Sequence, residues 1–227
     1  MEFIVDTVDL NDIQDAVDHL NLAGVTSNPS IVKKTSPKEF FPHMRKVREI
    51  IGKERSLHVQ LTATTSEEQL KEAERIFKEI DDQVYIKVPV DWEGLRTIRI
   101  LKEEGRHVTA TAIYDIMQAY EALAANADYL AVYVNRVGSM GGDPYALVRD
   151  VENVIHRDGY KTKVLGASFH SVQQVRDTLN AGAEAVTVPV SVLKATYANA
   201  NIHKAVEDFN NDWKSVYGEG SSILTVR

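Results

Sequence analysis

The sequence predicts a single α/β domain folded as a closed TIM-type (β/α)8 barrel, and three observations carry that prediction. The chain has 227 residues, near the usual size of such a barrel. Short β-branched runs alternate with helical patterns of roughly ten to fifteen residues. Most of these runs are apolar at consecutive positions, as parallel strands covered on both faces require.

The runs, taken in order, are Phe3–Asp6, Gly24–Thr26, Leu57–Thr62, Val84–Val88, His107–Thr111, Tyr129–Val134, Lys163–Ala167 and Ala185–Val188. Asp9 and Asn11 offer caps to an amphipathic stretch that reaches Leu20, and Ser66 with Glu67 and Glu68 opens another. Glu93–Glu104 stops at Gly105, and a helix opened by Ser171 closes at Gly182. The barrel therefore spans residues 1–200, and an amphipathic stretch from Ile202 to Tyr217 lies in a C-terminal helix and tail over 201–227. An open, doubly wound sheet is the rival architecture. It usually carries a Gly-rich turn after its first strand, and Asp6-Thr7-Val8-Asp9 holds no glycine.

With 26 Lys+Arg against 33 Asp+Glu, the formal charge is −7. That balance argues against a nucleic-acid partner, whose backbone needs clustered cations, but leaves room for one phosphate in a local pocket. The absence of cysteine excludes disulfides, thiolate metal ligands and a cysteine nucleophile. His19, His43, His58, His107, His156 and His203 show no metal-ligand spacing, so neither metal nor other cofactor is expected. No apolar run approaches the ~20 residues of a membrane helix. Met1–Asp6 reads as a strand rather than a leader, and the expectation is a cytoplasmic protein with no membrane partner.

In such a barrel, catalytic groups stand at the C-terminal ends of the strands. Here those ends carry Asp6, Thr26 with Asn28, Gln60 with Thr62, Lys87, Thr111, Tyr133 with Asn135 and Arg136, and Ser168. Each alone could cap the next helix; a mere scaffold needs no such set on one rim. Alternation puts Tyr85, Lys87 and Pro89 on one strand face and Ile86, Val88 and Val90 on the other. If the aliphatic set packs under helices, Lys87 points into the barrel. An unpaired ammonium is costly there, and a neutral amine can attack a ketone. A buried lysine paired with a carboxylate such as Asp6 is the alternative, and both can hold together.

Asp6 reads either as a helix cap or as a group that holds a substrate hydroxyl or orients Lys87. Asn28 precedes a proline and reads equally as a turn residue. Gln60, Thr111 and Tyr133, on separate strands, can hold one water for proton transfer. Arg136, the loop Gly138-Ser139-Met140-Gly141-Gly142-Asp143 and Ser168-Phe169-His170 at the start of the seventh helix together suggest a phosphate site.

Asp6-Thr7, Ala23-Gly24-Val25-Thr26-Ser27-Asn28-Pro29-Ser30, Ile86-Lys87-Val88-Pro89-Val90, Thr111-Ala112-Ile113-Tyr114, Tyr133-Val134-Asn135-Arg136 and Gly166-Ala167-Ser168-Phe169 occur in one order. In that order and spacing, through to Asp212-Trp213, the sequence resembles the small transaldolase family and, within it, the fructose-6-phosphate aldolases. The resemblance implies that Lys87 forms a Schiff base with a dihydroxyacetone unit and that Asp6 contacts substrate and positions the lysine. It implies that Thr26 and Asn28 bind hydroxyls, that Gln60, Thr111 and Tyr133 hold the catalytic water, and that Arg136 and Ser168 contact phosphate, with Asn135, Phe169 and His170 beside them. It also implies pentameric rings that pair into decamers, with the C-terminal helix packed on a neighbour.

Small transaldolases usually carry Glu at the position of Gln60 and Phe at that of Tyr133, so both residues point to the aldolase branch. His170 stands where relatives have Arg or Lys, which implies a weaker or pH-dependent grip on phosphate. Ser27 replaces a more usual threonine. The expected activity is cleavage of fructose 6-phosphate to dihydroxyacetone and glyceraldehyde 3-phosphate, with small sugar phosphates and aldehydes as partners. Transaldolase and a non-catalytic sugar-phosphate-binding barrel are the rivals.

Overall fold

Ile86 and Val88 are fully buried in a cluster that includes Ile98 and Leu101 from the following helix, whereas Lys87 between them turns the other way. Repeated strand by strand, that alternation gives a sheet with helices outside and a second, smaller core inside. The computed structural model describes residues 1–226; Arg227, the last residue of the expected tail, lies outside the described residues. The first half runs β1 (Glu2–Asp6), α1 (Leu10–His19), β2 (Leu22–Thr26), α2 (Pro29–Thr35), α3 (Phe40–Ile51), β3 (Ser56–Gln60), α4 (Ser66–Glu79), β4 (Tyr85–Pro89) and α5 (Trp92–Glu103). The second runs β5 (Val108–Ile113), α6 (Ile116–Ala124), β6 (Tyr129–Tyr133), α7 (Val134–Ser139), α8 (Pro144–Asp158), β7 (Lys163–Ala167), α9 (Val172–Asn180), β8 (Ala185–Val188), α10 (Val190–Ala195) and α11 (Ala200–Tyr217). The strands are parallel, pair in chain order and close from β8 onto β1, which is the predicted (β/α)8 barrel.

Side-chain caps set the helix starts. Asp9 accepts from the backbone N–H groups of Asn11 and Asp12, Asp91 from Gly94, and Ser171 from Gln174. Helix α4 is capped by Thr65 rather than Ser66, whose hydroxyl instead receives a hydrogen bond from Thr97 at 2.9 Å. Two strands end earlier than their sequence pattern suggests. β3 stops at Gln60, because the Thr62 backbone and hydroxyl both donate to Glu72 of α4. β6 stops at Tyr133, and Val134 begins a helix, so Asn135 and Arg136 stand on α7.

The N-terminal mouth of the barrel is filled. His58, Tyr85 and His107 stack with centroids 4.7 and 4.6 Å apart, and Tyr129 meets Tyr85 edge-on at 5.4 Å. Tyr129 donates to Glu2 at 2.7 Å, and Lys163 pairs with the other oxygen of Glu2. His58 is fully buried between Thr109 and Ser56, at 2.7 and 2.8 Å. Burial, with a smaller contribution from the Lys87 charge, holds its imidazole well below the usual histidine range. Among the described residues, the cavity that reaches Lys87 lies at the C-terminal face.

Helix α11 packs no buried residue and keeps an apolar stripe of Ile202, Val206, Phe209 and Val216 in solvent. Among the described residues, no helix is long and apolar enough to cross a membrane.

On the inner face of α8, Glu152 is 4% exposed, and among the described residues its carboxylate has no side-chain hydrogen-bond partner. The exposed His156 ring lies 3.7 Å away. Burial first, and repulsion from Glu184 second, push the carboxyl up to about 7. A carboxyl that holds its proton more tightly when folded adds stability below the ordinary 4.5 and loses it as pH rises through about 7. Glu152→Gln should accordingly raise the thermal midpoint above neutrality, by the equivalent of about 1–3 kcal/mol, and leave it unchanged in acid. Calorimetric scans on both sides of neutrality check this; equal effects in acid and base would refute it.

Candidate active site

Strand alternation and parallel register bring one polar side chain after another to the open face. Asp6 of β1, Lys87 of β4, Tyr133 of β6 and Thr187 of β8 line a cavity of about 460 Å³. Asn28, Ser168 and His170 join from connecting segments, Ser30 and Lys34 from α2, Arg136 from α7 and Ser191 from α10. A second hollow of about 510 Å³, between β3 and helices α2 to α4, meets the first at Asn28 and includes Gln60, Phe40 and Phe41.

Lys87 is 2% exposed and stands between Gln60 and Thr109 in the sheet register. Burial pushes its amine below the ordinary lysine range, and the charge of Asp6 opposes that shift less strongly. Asp6 mirrors it. Burial pushes the carboxyl up, against the Lys87 charge, a hydrogen bond from Thr26 and the more distant Lys34. The helix-cap reading of Asp6 is replaced, since Asp9 caps α1 and the Asp6 Oδ1 accepts from the Thr26 hydroxyl at 2.7 Å. Thr26 is itself fully buried, so the structure sets it behind Asp6 and away from the cavity wall. Asn28 fits both of its readings: its Oδ1 caps α2 through Ile31 N–H at 3.0 Å, and the residue borders the cavity.

Thr111 donates to the Tyr133 hydroxyl at 3.3 Å, and Gln60 Oε1 is buried with no hydrogen-bond partner among the described residues. Burial raises the Tyr133 phenol, so it keeps its proton through neutral pH. The β5 register shifts between Ala110 and Ile113, and Ala112 sits at φ 59°. This bulge lets Thr111 face inward beside a second interior residue.

At the rim, the Arg136 guanidinium lies 4.8 Å over the Tyr133 ring and donates to Tyr114 at 2.8 Å. Ser168 holds a left-handed backbone at φ 62°, and its carbonyl accepts from Asn135 N–H at 3.2 Å. Three expectations for this region change, and Phe169 gains a packing role beside its place at the cavity. The Gly138–Asp143 segment is no anion cradle: Gly141 and Gly142 donate their N–H groups to Gly138 and Val137, and Asp143 caps α8. Ser168-Phe169-His170 precedes the helix, which starts at Val172, and the His170 N–H is taken by Gln174 Oε1 at 2.8 Å. The Asn135 carboxamide oxygen is held by Gln174 Nε2 at 2.9 Å, off the cavity lining. Phe169 borders the cavity but is 2% exposed, packed among Val134, Val175, Val186 and Val188. Lys34, Ser191 and Thr187 were not singled out from sequence. Thr187 shares a strand face with Ala185 and alternates with Val186 and Val188 on a short apolar strand, which is its one visible signal.

The opposed shifts of Asp6 and Lys87 make a prediction. Asp6→Asn removes the anion that favours the ammonium, so Lys87 should lose its proton at lower pH. Trace labelling with an amine-selective reagent, read by peptide mass mapping across pH, checks this; an unmoved Lys87 titration would count against the coupling.

A curated relative from Streptococcus pneumoniae, a "Probable fructose-6-phosphate aldolase", is 45% identical over 213 residues, covering 94% of this chain and 96% of its own. The model of the family described as Transaldolase/Fructose-6-phosphate aldolase matches residues 3–220. Matched across nearly its whole length, with the inward lysine of β4 opposite the carboxylate of β1, the chain belongs to the transaldolase/fructose-6-phosphate aldolase family.

Proposed function

We propose that this protein is a Schiff-base-forming, class I aldolase that cleaves fructose 6-phosphate to dihydroxyacetone and glyceraldehyde 3-phosphate and catalyses the reverse addition. The observation that carries the reading is a lysine amine, 2% exposed and driven toward its neutral form, facing the only carboxylate among the described residues that line its cavity. Lys87 adds to the C2 carbonyl, water leaves, and an iminium forms. Breaking C3–C4 requires a base for the C4 hydroxyl proton, a role we assign to Asp6, which lines the same cavity as Lys87. The bonding pair flows into the iminium and glyceraldehyde 3-phosphate departs. Gln60, Thr111 and Tyr133 hold a water through which the enamine carbon is reprotonated, and hydrolysis frees dihydroxyacetone and the amine.

Asn28 binds sugar hydroxyls, and Arg136, Ser168, His170 and Lys34 gather around the phosphate. Thr26 acts through Asp6. A cytoplasmic setting goes with this reading, since phosphorylated sugars do not cross membranes unaided.

A transaldolase would share every step to the enamine and then wait for an acceptor sugar. Tyr133 favours the aldolase, because its phenol adds a proton donor within 3.3 Å of Thr111. Incubation with fructose 6-phosphate alone should release free dihydroxyacetone. Release only of sedoheptulose 7-phosphate after adding erythrose 4-phosphate would make the protein a transaldolase. Borohydride with substrate should fix an adduct on Lys87, and Lys87→Met should turn over at less than about a thousandth of the parent rate. An intact protein without that adduct would be a binding barrel instead.

We also propose a homo-oligomer, a pentameric ring or a decamer, in which a second copy covers α11. The apolar stripe there supports it, Val206 and Phe209 being 53% and 70% exposed. Phe209→Glu should lower the mass measured by sedimentation while leaving the circular dichroism of the barrel intact. A variant of unchanged mass would remove α11 from the interface.

A further inference from the structure

Thr187 is 1% exposed, turned into the barrel from β8, and borders the same cavity as Lys87 and Asp6. None of the steps above uses it. Its hydroxyl oxygen lies 2.6 Å from that of Thr26, which lies 2.7 Å from Asp6 Oδ1. The three side chains come from β8, β2 and β1, so the two threonines stand on either side of the strand that carries the carboxylate.

Counting protons sets the direction of this chain. A threonine hydroxyl has one hydrogen and two lone pairs. A carboxylate is the stronger acceptor, so the Thr26 hydrogen goes to Asp6. Thr26 then has no hydrogen left for Thr187, and the 2.6 Å contact is a bond only if Thr187 donates to Thr26. The outcome is a one-way sequence from Thr187 to Thr26 to Asp6, in which each bond polarises the next in a dry interior.

We propose that Thr187 is a positioning residue: it aims the Thr26 hydroxyl at Asp6 and so holds that carboxylate oriented and ionised opposite Lys87. Thr26 is one of the groups that offset the burial of Asp6. Without a donor behind it, the Thr26 hydroxyl is a weaker donor and a freer rotor, and Asp6 drifts toward its protonated form. The consequence for turnover rests on the aldolase reading above, with Asp6 as the base; the relay itself does not.

Thr187→Val keeps the β-branched shape and removes the donor, while Thr187→Ser keeps the hydroxyl. The Asp6 carboxyl is followed by isotope-edited NMR of labelled aspartates, assigned through Asp6→Asn. In Thr187→Val, Asp6 should titrate at a pH higher by about half a unit or more, because the Thr26 bond to its carboxylate is weakened. The acid limb of kcat/KM for fructose 6-phosphate should move the same way, with kcat reduced several-fold, KM nearly constant, and both effects reversed in Thr187→Ser. An Asp6 titration unmoved in Thr187→Val, or a serine variant that behaves like the valine one, overturns the relay. A raised KM with intact kcat overturns it too, and makes Thr187 a substrate contact. If the wild-type protein traps no imine at Lys87, the aldolase reading falls, while the NMR titration still judges the relay.

Discussion

The desolvation of one amine governs the arrangement of this protein. Lys87 sits in a strand whose neighbours Ile86 and Val88 are locked under helices, so its side chain has nowhere to go but inward. A slip of one residue in the β4 register would exchange the two faces and put the amine beneath α5. The stacked rings and the Glu2–Tyr129–Lys163 group close the barrel below it. Water and substrate therefore reach the lysine from one side. Asp6 across the cavity tempers the shift without cancelling it, because burial is the larger influence on both groups.

Around that pair the backbone carries strain at two points. Ala112 and Ser168 are non-glycine residues at φ 59° and 62°, one beside Thr111 and the other at the rim beyond β7. Such conformations cost roughly 1–3 kcal/mol each and persist where surrounding packing over-determines them. At Ser168 the packing is specific. Phe169 is driven into a core of valines, and any side chain at Gly166 would meet its ring at 2.8 Å. Phe169, which also borders the cavity, is thereby the anchor that holds Ser168 at the cavity edge.

Net charge and local charge differ in sign here. The chain carries −7 overall, yet Lys34 and Arg136 gather at the cavity mouth. A sum over the surface reports solubility and long-range steering, whereas a bound phosphate responds to cations within a few ångströms.

Local pattern was enough for the barrel, the inward face of Lys87, and the set of polar strand ends, because strand periodicity and helix caps are written in neighbouring residues. The glycines at 138, 141 and 142, by contrast, suggested an anion loop, and only the folded chain shows the N–H groups of Gly141 and Gly142 already spent within a turn. Thr26 likewise lies behind Asp6, and Thr187 joins it from β8, 161 residues away in sequence. Which donors remain free, and which distant hydroxyls meet, follows from strand register and closure of the sheet. Those are properties of the whole ring, and no single stretch of sequence contains them.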